Sequence, residues 1–136
     1  MRRTGIILGI GGLLIILGLG VYFSIGHNYE NQLTQDDYSN VLDLKTYNIV
    51  CYKKGCPFCE SSQTAILKAK KKSPITTFFV DVDSKEGQKV VKKYSIEKAY
   101  SIIVVRENFA KVYRYAYKEN GKIGPNTDVI NQSFRK

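Results

Sequence analysis

Residues 47–59 read Tyr-Asn-Ile-Val-Cys-Tyr-Lys-Lys-Gly-Cys-Pro-Phe-Cys. The first six, Tyr47 to Tyr52, are β-branched or aromatic enough to predict a strand. The last four place two thiols one helical turn apart. Pro57 suits the first turn of a helix, where its missing N–H costs nothing. Cys56 is then the cap residue, its sulfur facing the unpaired N–H groups and the positive dipole end of the helix that begins at Pro57. A thiolate is stabilised in that position, and the thiolate is the reactive form of cysteine. Lys53 and Lys54 act in the same direction if they fold back over the site, and Pro57 and Phe58 shape its surroundings. Cys59 falls just behind, close enough to close a disulfide. The spacing predicts a redox dithiol, with Cys56 attacking and Cys59 resolving the mixed disulfide that forms.

Outward from this stretch, strand and helix patterns alternate, as in an α/β domain. A helix is expected from Pro57 to about Lys72, ended by Ser73-Pro74, with Lys68 and Lys70 to Lys72 complementing its dipole. Ile75 to Val82 reads as a strand, and Ser84 as the cap of a second helix carrying Val90, Val91 and Tyr94. Ser101 to Val105 is too uniformly apolar for a surface strand and should be central. Ala110 to Tyr117 alternates, with Lys111, Tyr113, Tyr115 and Tyr117 on one face. A turn at Glu107-Asn108 would join the last two as a hairpin. A short helix is expected from Asp128 to Phe134.

Upstream the composition changes. Gly5 to Ile25 carries no charged residue, and a helix of that length rises roughly 30 Å, the thickness of a bilayer's hydrocarbon core. Arg2 and Arg3 precede it, and the next charges are Glu30, Asp36, Asp37 and Asp43. That asymmetry predicts residues 1–4 in the cytoplasm, 5–25 as an uncleaved single-pass transmembrane helix, and the remainder outside. A cleaved signal peptide would have a shorter apolar run and a small-x-small site, neither of which is found here. Residues 26–45 are polar and acidic and read as a linker, with a short helix or strand near Val41 to Leu44.

The 136 residues carry a formal net charge of +9, and from Thr46 onward 18 Lys and Arg face 8 Asp and Glu. No recognition motif accompanies the charge, so nucleic acid is not expected as a partner. A solvated basic surface near anionic lipid headgroups or wall polymers accounts for it. Cys51, Cys56 and Cys59 also match the start of an iron–sulfur ligand spacing, but a fourth ligand is missing and His27 is the only histidine. No metal or other cofactor is expected. Cys51, inside the first strand, reads as a small buried apolar residue.

With strand, Cys-Pro-Phe-Cys and helix in this order, roughly Thr46 to Tyr117 resemble the thioredoxin fold, a central mixed sheet flanked by helices, with a centre similar to that of glutaredoxins, and the resemblance implies a thioredoxin-like domain over residues 46–136. The block from Lys93 to Asn108 adds to the resemblance. It parallels the segment in which a tyrosine-x-isoleucine step leads to a cis-proline, a threonine, an apolar strand and a hairpin. Tyr100 falls where the family has its cis-proline, and Ser101 where it has the threonine, so the resemblance implies that these two border the substrate groove. A non-proline cis bond costs roughly 2.5–4 kcal/mol, so a trans bond and a reshaped groove are expected at Tyr100. The family's buried aspartate beneath the resolving cysteine corresponds to Val50.

The resemblance implies a membrane-anchored, extracytoplasmic thiol–disulfide oxidoreductase. Its partners would be protein thiols or disulfides of exported proteins, together with a redox-partner membrane protein. The alternative is a non-catalytic scaffold of a secretion or conjugation apparatus that keeps the fold for binding.

Overall fold

The computed structural model describes Tyr29, residues 32–41 and residues 43–136. The apolar stretch 5–25 expected to cross the membrane lies outside the described residues. Among those described, no helix is long and apolar enough to span a bilayer.

The chain forms a mixed α/β domain around a mixed four-stranded sheet. A short helix α1 (Gln35–Ser39) leads into β1 (Tyr47–Tyr52), α2 (Pro57–Lys72), β2 (Thr77–Asp81), α3 (Lys85–Tyr94), β3 (Ser101–Arg106) and β4 (Phe109–Arg114). A separate hairpin, β5 (Ala116–Glu119) and β6 (Lys122–Pro125), precedes α4 (Thr127–Ser133). The strand order in the main sheet is β2-β1-β3-β4. β1 is parallel to β2, with Val50 opposite Phe79, and antiparallel to β3, with Val50 opposite Ile102. A parallel pair needs a crossover, and α2 supplies it.

Both faces of β1 are covered because its alternate residues enter two cores. Val50 joins Ile66, Phe79, Ile102, Tyr115, Ile130, Phe134 and Tyr29 on one side. Ile49 and Cys51 join Tyr47, Phe78, Val80, Val90 and Ile103 on the other. Each fully buried large apolar side chain contributes about 1.5–3 kcal/mol. A continuous apolar run is what a two-sided core demands of its central strands, which explains SIIVV in β3. α4 is tied to the sheet by polar contacts. Asn48 donates to the Ser133 carbonyl at 2.9 Å, and Arg106 donates both to that carbonyl (3.0 Å) and to Asn48 Oδ1 (3.1 Å).

Local sequence accounts for the element ends. Ser84 Oγ accepts the Gly87 N–H at 2.9 Å, capping α3. Position 87 has to be glycine, because a Cβ there would lie 1.9 Å from the Asp81 carbonyl oxygen. Ser73, extended in conformation, ends α2 just before Pro74.

Two expectations need revision. The single alternating strand over 110–117 is broken at Tyr115, which belongs to neither β4 nor β5. Its backbone N–H donates to the Tyr100 carbonyl (3.1 Å), and its own carbonyl accepts from Asn126 N–H (2.8 Å), drawing the side chain into the core. Described residues of the stretch 26–45, expected as a linker, also pack on the fold. Tyr29 is 4% exposed and stacks on Phe79 with ring centroids 5.0 Å apart. The Phe79 N–H, on the outer edge of β2, donates to the Leu33 carbonyl at 2.7 Å, and a short helix stands at Gln35–Ser39. An unpaired sheet edge is a liability, and this segment covers one.

Candidate active site: the Cys56–Cys59 dithiol

The end of β1 and the start of α2 form the site. Tyr52 is the last strand residue, and a turn follows in which the Cys56 N–H donates to the Lys53 carbonyl at 3.3 Å. Gly55 makes that turn at φ +72°, a conformation other residues avoid. Cys56 is the N-cap, extended at φ −84° and ψ 112°, with Pro57 in the first helical turn. Its sulfur accepts the Cys59 N–H at 3.3 Å, so one of the helix's orphan donors points at the thiol.

The two cysteines differ in exposure. Cys56 is half-buried and Cys59 is 2% exposed. Both are free thiols, and the Cys59 N–H bond to the Cys56 sulfur holds the two residues together. Burial pushes the Cys59 thiol up to about 12, and its contact with Cys56 adds to the rise; Tyr115 and the Lys53 backbone oppose it. Cys51, fully buried in β1, is likewise pushed up to about 12, by burial and then by Cys59. At neutral pH neither is a thiolate, and Cys56 is the one thiol of the three open to a partner.

Lys53 does not fold back over the thiols. Its ammonium instead pairs with Asp83 at 3.3 Å on the surface, and its contribution to the site is the backbone contact with Cys59. Lys54 is exposed and, with Tyr29, Tyr52, Lys53, Gly55, Glu60 and Gln63, lines a cavity of about 240 Å³ beside the dithiol. Phe58 and Tyr100 are brought together: their rings stack at 4.4 Å between centroids and 13° between planes. No peptide bond among the described residues is cis, so Tyr100 presents a flat aromatic ring from a trans backbone. Ser101 is buried and donates to the Lys98 carbonyl at 2.6 Å, which holds the turn before β3.

Two residues of the site were not anticipated. Val50 is fully buried, so no carboxylate lies beneath Cys59 from that position. Tyr115 and Tyr29 occupy the space behind the dithiol. Tyr115, 0% exposed, donates its hydroxyl to the Cys51 carbonyl at 2.8 Å and also contacts the Cys59 thiol. The Tyr29 hydroxyl lies 3.5 Å from the Cys59 carbonyl and contacts Tyr115. Burial, reinforced by the neighbouring phenol and thiols, raises the Tyr115 phenol well above its ordinary value. Nothing local marks Tyr115 in the sequence; the break in alternation at Arg114–Ala116 appears only with the fold.

Compared with known proteins, the chain matches no family model and no curated protein.

Proposed function

We propose that this chain is a thiol–disulfide oxidoreductase of thioredoxin-like fold, with Cys56 as the attacking and Cys59 as the resolving thiol. One observation carries the reading: a half-exposed thiol caps a helix and accepts the backbone N–H of a buried cysteine one turn behind it. The sheet order β2-β1-β3-β4, with the dithiol at the carboxyl end of the central strand β1, supports the fold assignment. Anchoring by residues 5–25 and an extracytoplasmic location rest on the apolar run, the arginines before it, and the persistence of disulfides outside the reducing cytoplasm. Proteins exported past the membrane are then the substrates.

Cys56 attacks a substrate disulfide and forms a mixed disulfide, and Cys59 attacks the Cys56 sulfur to release the product. Run in reverse, the same steps oxidise a substrate dithiol. In cells, Cys59→Ala should accumulate mixed disulfides that disappear on reduction, and Cys56→Ala should not. Equal trapping by both variants, or by neither, would contradict the assignment.

A scaffold role is the second reading, favoured by the Phe58–Tyr100 stack beside the cysteines, an aromatic surface suited to holding a partner. Cys56→Ser separates the two: a scaffold keeps its biological activity, an oxidoreductase loses it.

A further inference from the structure

Resting on the dithiol reading above, we propose that Tyr115 is a further catalytic residue: its hydroxyl turns from the Cys51 carbonyl to the Cys59 sulfur and stabilises the thiolate formed there. The geometry supplies the reason. The phenol is completely buried, and its oxygen is anchored 2.8 Å from the Cys51 carbonyl. Ser62 of α2 ties the Tyr115 backbone to the helix that carries Cys59, and the phenol and the buried Cys59 thiol influence each other electrostatically. A rotation about the C–O bond changes whether the Cys51 carbonyl or the Cys59 sulfur accepts the proton, without moving the ring.

The backbone holds the ring in place. Tyr115 N–H is bonded to Tyr100, and its carbonyl accepts from Asn126 N–H and from the Ser62 hydroxyl at 3.3 Å. The titratable groups facing Cys59 are Cys56 on its own helix, Cys51 on β1, Tyr29 from the N-terminal segment and Tyr115 from the β4–β5 junction. Val50 offers no base beneath the thiol. The raised phenol of Tyr115 keeps its proton, so it serves as a donor to sulfur and does not itself deprotonate Cys59.

Atoms and electrons balance through the resolving step. In the mixed disulfide, Cys56 is bonded to a substrate sulfur. Cys59 loses its proton to solvent and attacks the Cys56 sulfur as the Cys56–substrate bond breaks. The substrate leaves as a thiolate and is protonated by water. Its original disulfide has gained two electrons, and the protein dithiol has lost them. In the oxidising direction Cys59 is the leaving thiolate, and the same hydrogen bond stabilises it.

Stoichiometric 5,5′-dithiobis(2-nitrobenzoate) with the reduced full chain separates the steps. Attack by Cys56 releases the first thionitrobenzoate, and resolution by Cys59 releases the second. Tyr115→Phe should leave the first phase unchanged, slow the second about tenfold or more, and displace its pH profile upward. An unaltered second phase and profile would overturn the role of Tyr115. Equal slowing of both phases, with no shift in profile, would reduce Tyr115 to a packing residue and overturn it too. Failure of the wild-type chain to release a second equivalent would instead sink the dithiol reading itself. Should Tyr115→Phe not fold, 3-fluorotyrosine at position 115 provides a stronger donor of nearly equal size. It should speed the second phase and lower its profile; no change would count against the proposal.

Discussion

Two clusters of tyrosine hydroxyls lie on opposite faces of the central sheet, and the charge beside one of them makes them differ. Behind the dithiol, Tyr29 and Tyr115 are enclosed with thiols and carbonyls for partners, and burial drives both phenols above their ordinary value. On the other face, Tyr38, Tyr47 and Tyr94 meet in a partly buried cluster, with Tyr47 and Tyr94 oxygens 3.2 Å apart and Lys93 donating to Tyr38 at 3.0 Å. Burial pushes Tyr38 upward, but the Lys93 ammonium and the neighbouring hydroxyls outweigh it and hold that phenol below its ordinary value. Burial raises Tyr47 and Tyr94 in this cluster too, so Tyr38, held by the Lys93 ammonium, is the phenol that sets the two clusters apart. The contrast teaches that a tyrosine's chemistry here is set by its enclosure and by the charge nearest its oxygen.

The sharpest way to break this comparison is at the dithiol. Cys56→Ser should reduce disulfide exchange to the uncatalysed background, measured with a reporter disulfide. Residual wild-type activity would mean that the enclosed cluster serves no redox centre. Next in size is Tyr115→Ala, which empties a completely buried aromatic site. A loss of about 3–5 kcal/mol in urea unfolding is expected. By contrast, Tyr38→Ala, at the partly open cluster, should cost distinctly less; equal losses would erase the distinction between the clusters.

Alkaline titration sharpens it further. Cys51 and Cys59 are held at about 12 in the folded chain, against about 8.5 for an unperturbed thiol. In the unfolded chain they ionise first, so their contribution is intact below about pH 8.5 and is lost as pH rises toward 12. Reduced protein should therefore lose stability by about 1.4 kcal/mol per pH unit for each thiol in that window. Cys51→Ala should remove one thiol's share of the slope; an unchanged slope would show that burial does not set it. The smallest effect expected is that of Lys93→Gln. Followed by tyrosinate absorbance, the earliest-titrating phenol should move to higher pH, with stability altered by about 0.5 kcal/mol or less. No movement would separate Tyr38 from the ammonium.

Much of the architecture is visible in particular residues. Pro57 and Ser73-Pro74 bound α2 as the sequence predicts, Ser84 caps α3, and Glu107-Asn108 turns β3 into β4. These features are local: a proline without its N–H, a serine reaching a nearby N–H, or an uninterrupted apolar run has nearly the same meaning in any surroundings. The Cys56–Cys59 spacing belongs with them, since a helix repeats every 3.6 residues and brings both thiols to one end.

The remainder required distant parts of the chain to meet. Lys53 is adjacent to the dithiol in sequence, yet its ammonium pairs with Asp83 across the β1–β2 end of the sheet. Phe58 finds Tyr100, and Tyr115 leaves an alternating strand to place its hydroxyl against Cys51 and Cys59. Tyr29 enters the core from a stretch whose composition reads as a linker. Sequence alone therefore determined where the two thiols stand and which helix carries them, because those are matters of short-range geometry. Only the tertiary structure decided what encloses them, because hydrogen bonds and burial between remote segments depend on how the whole sheet and its helices close.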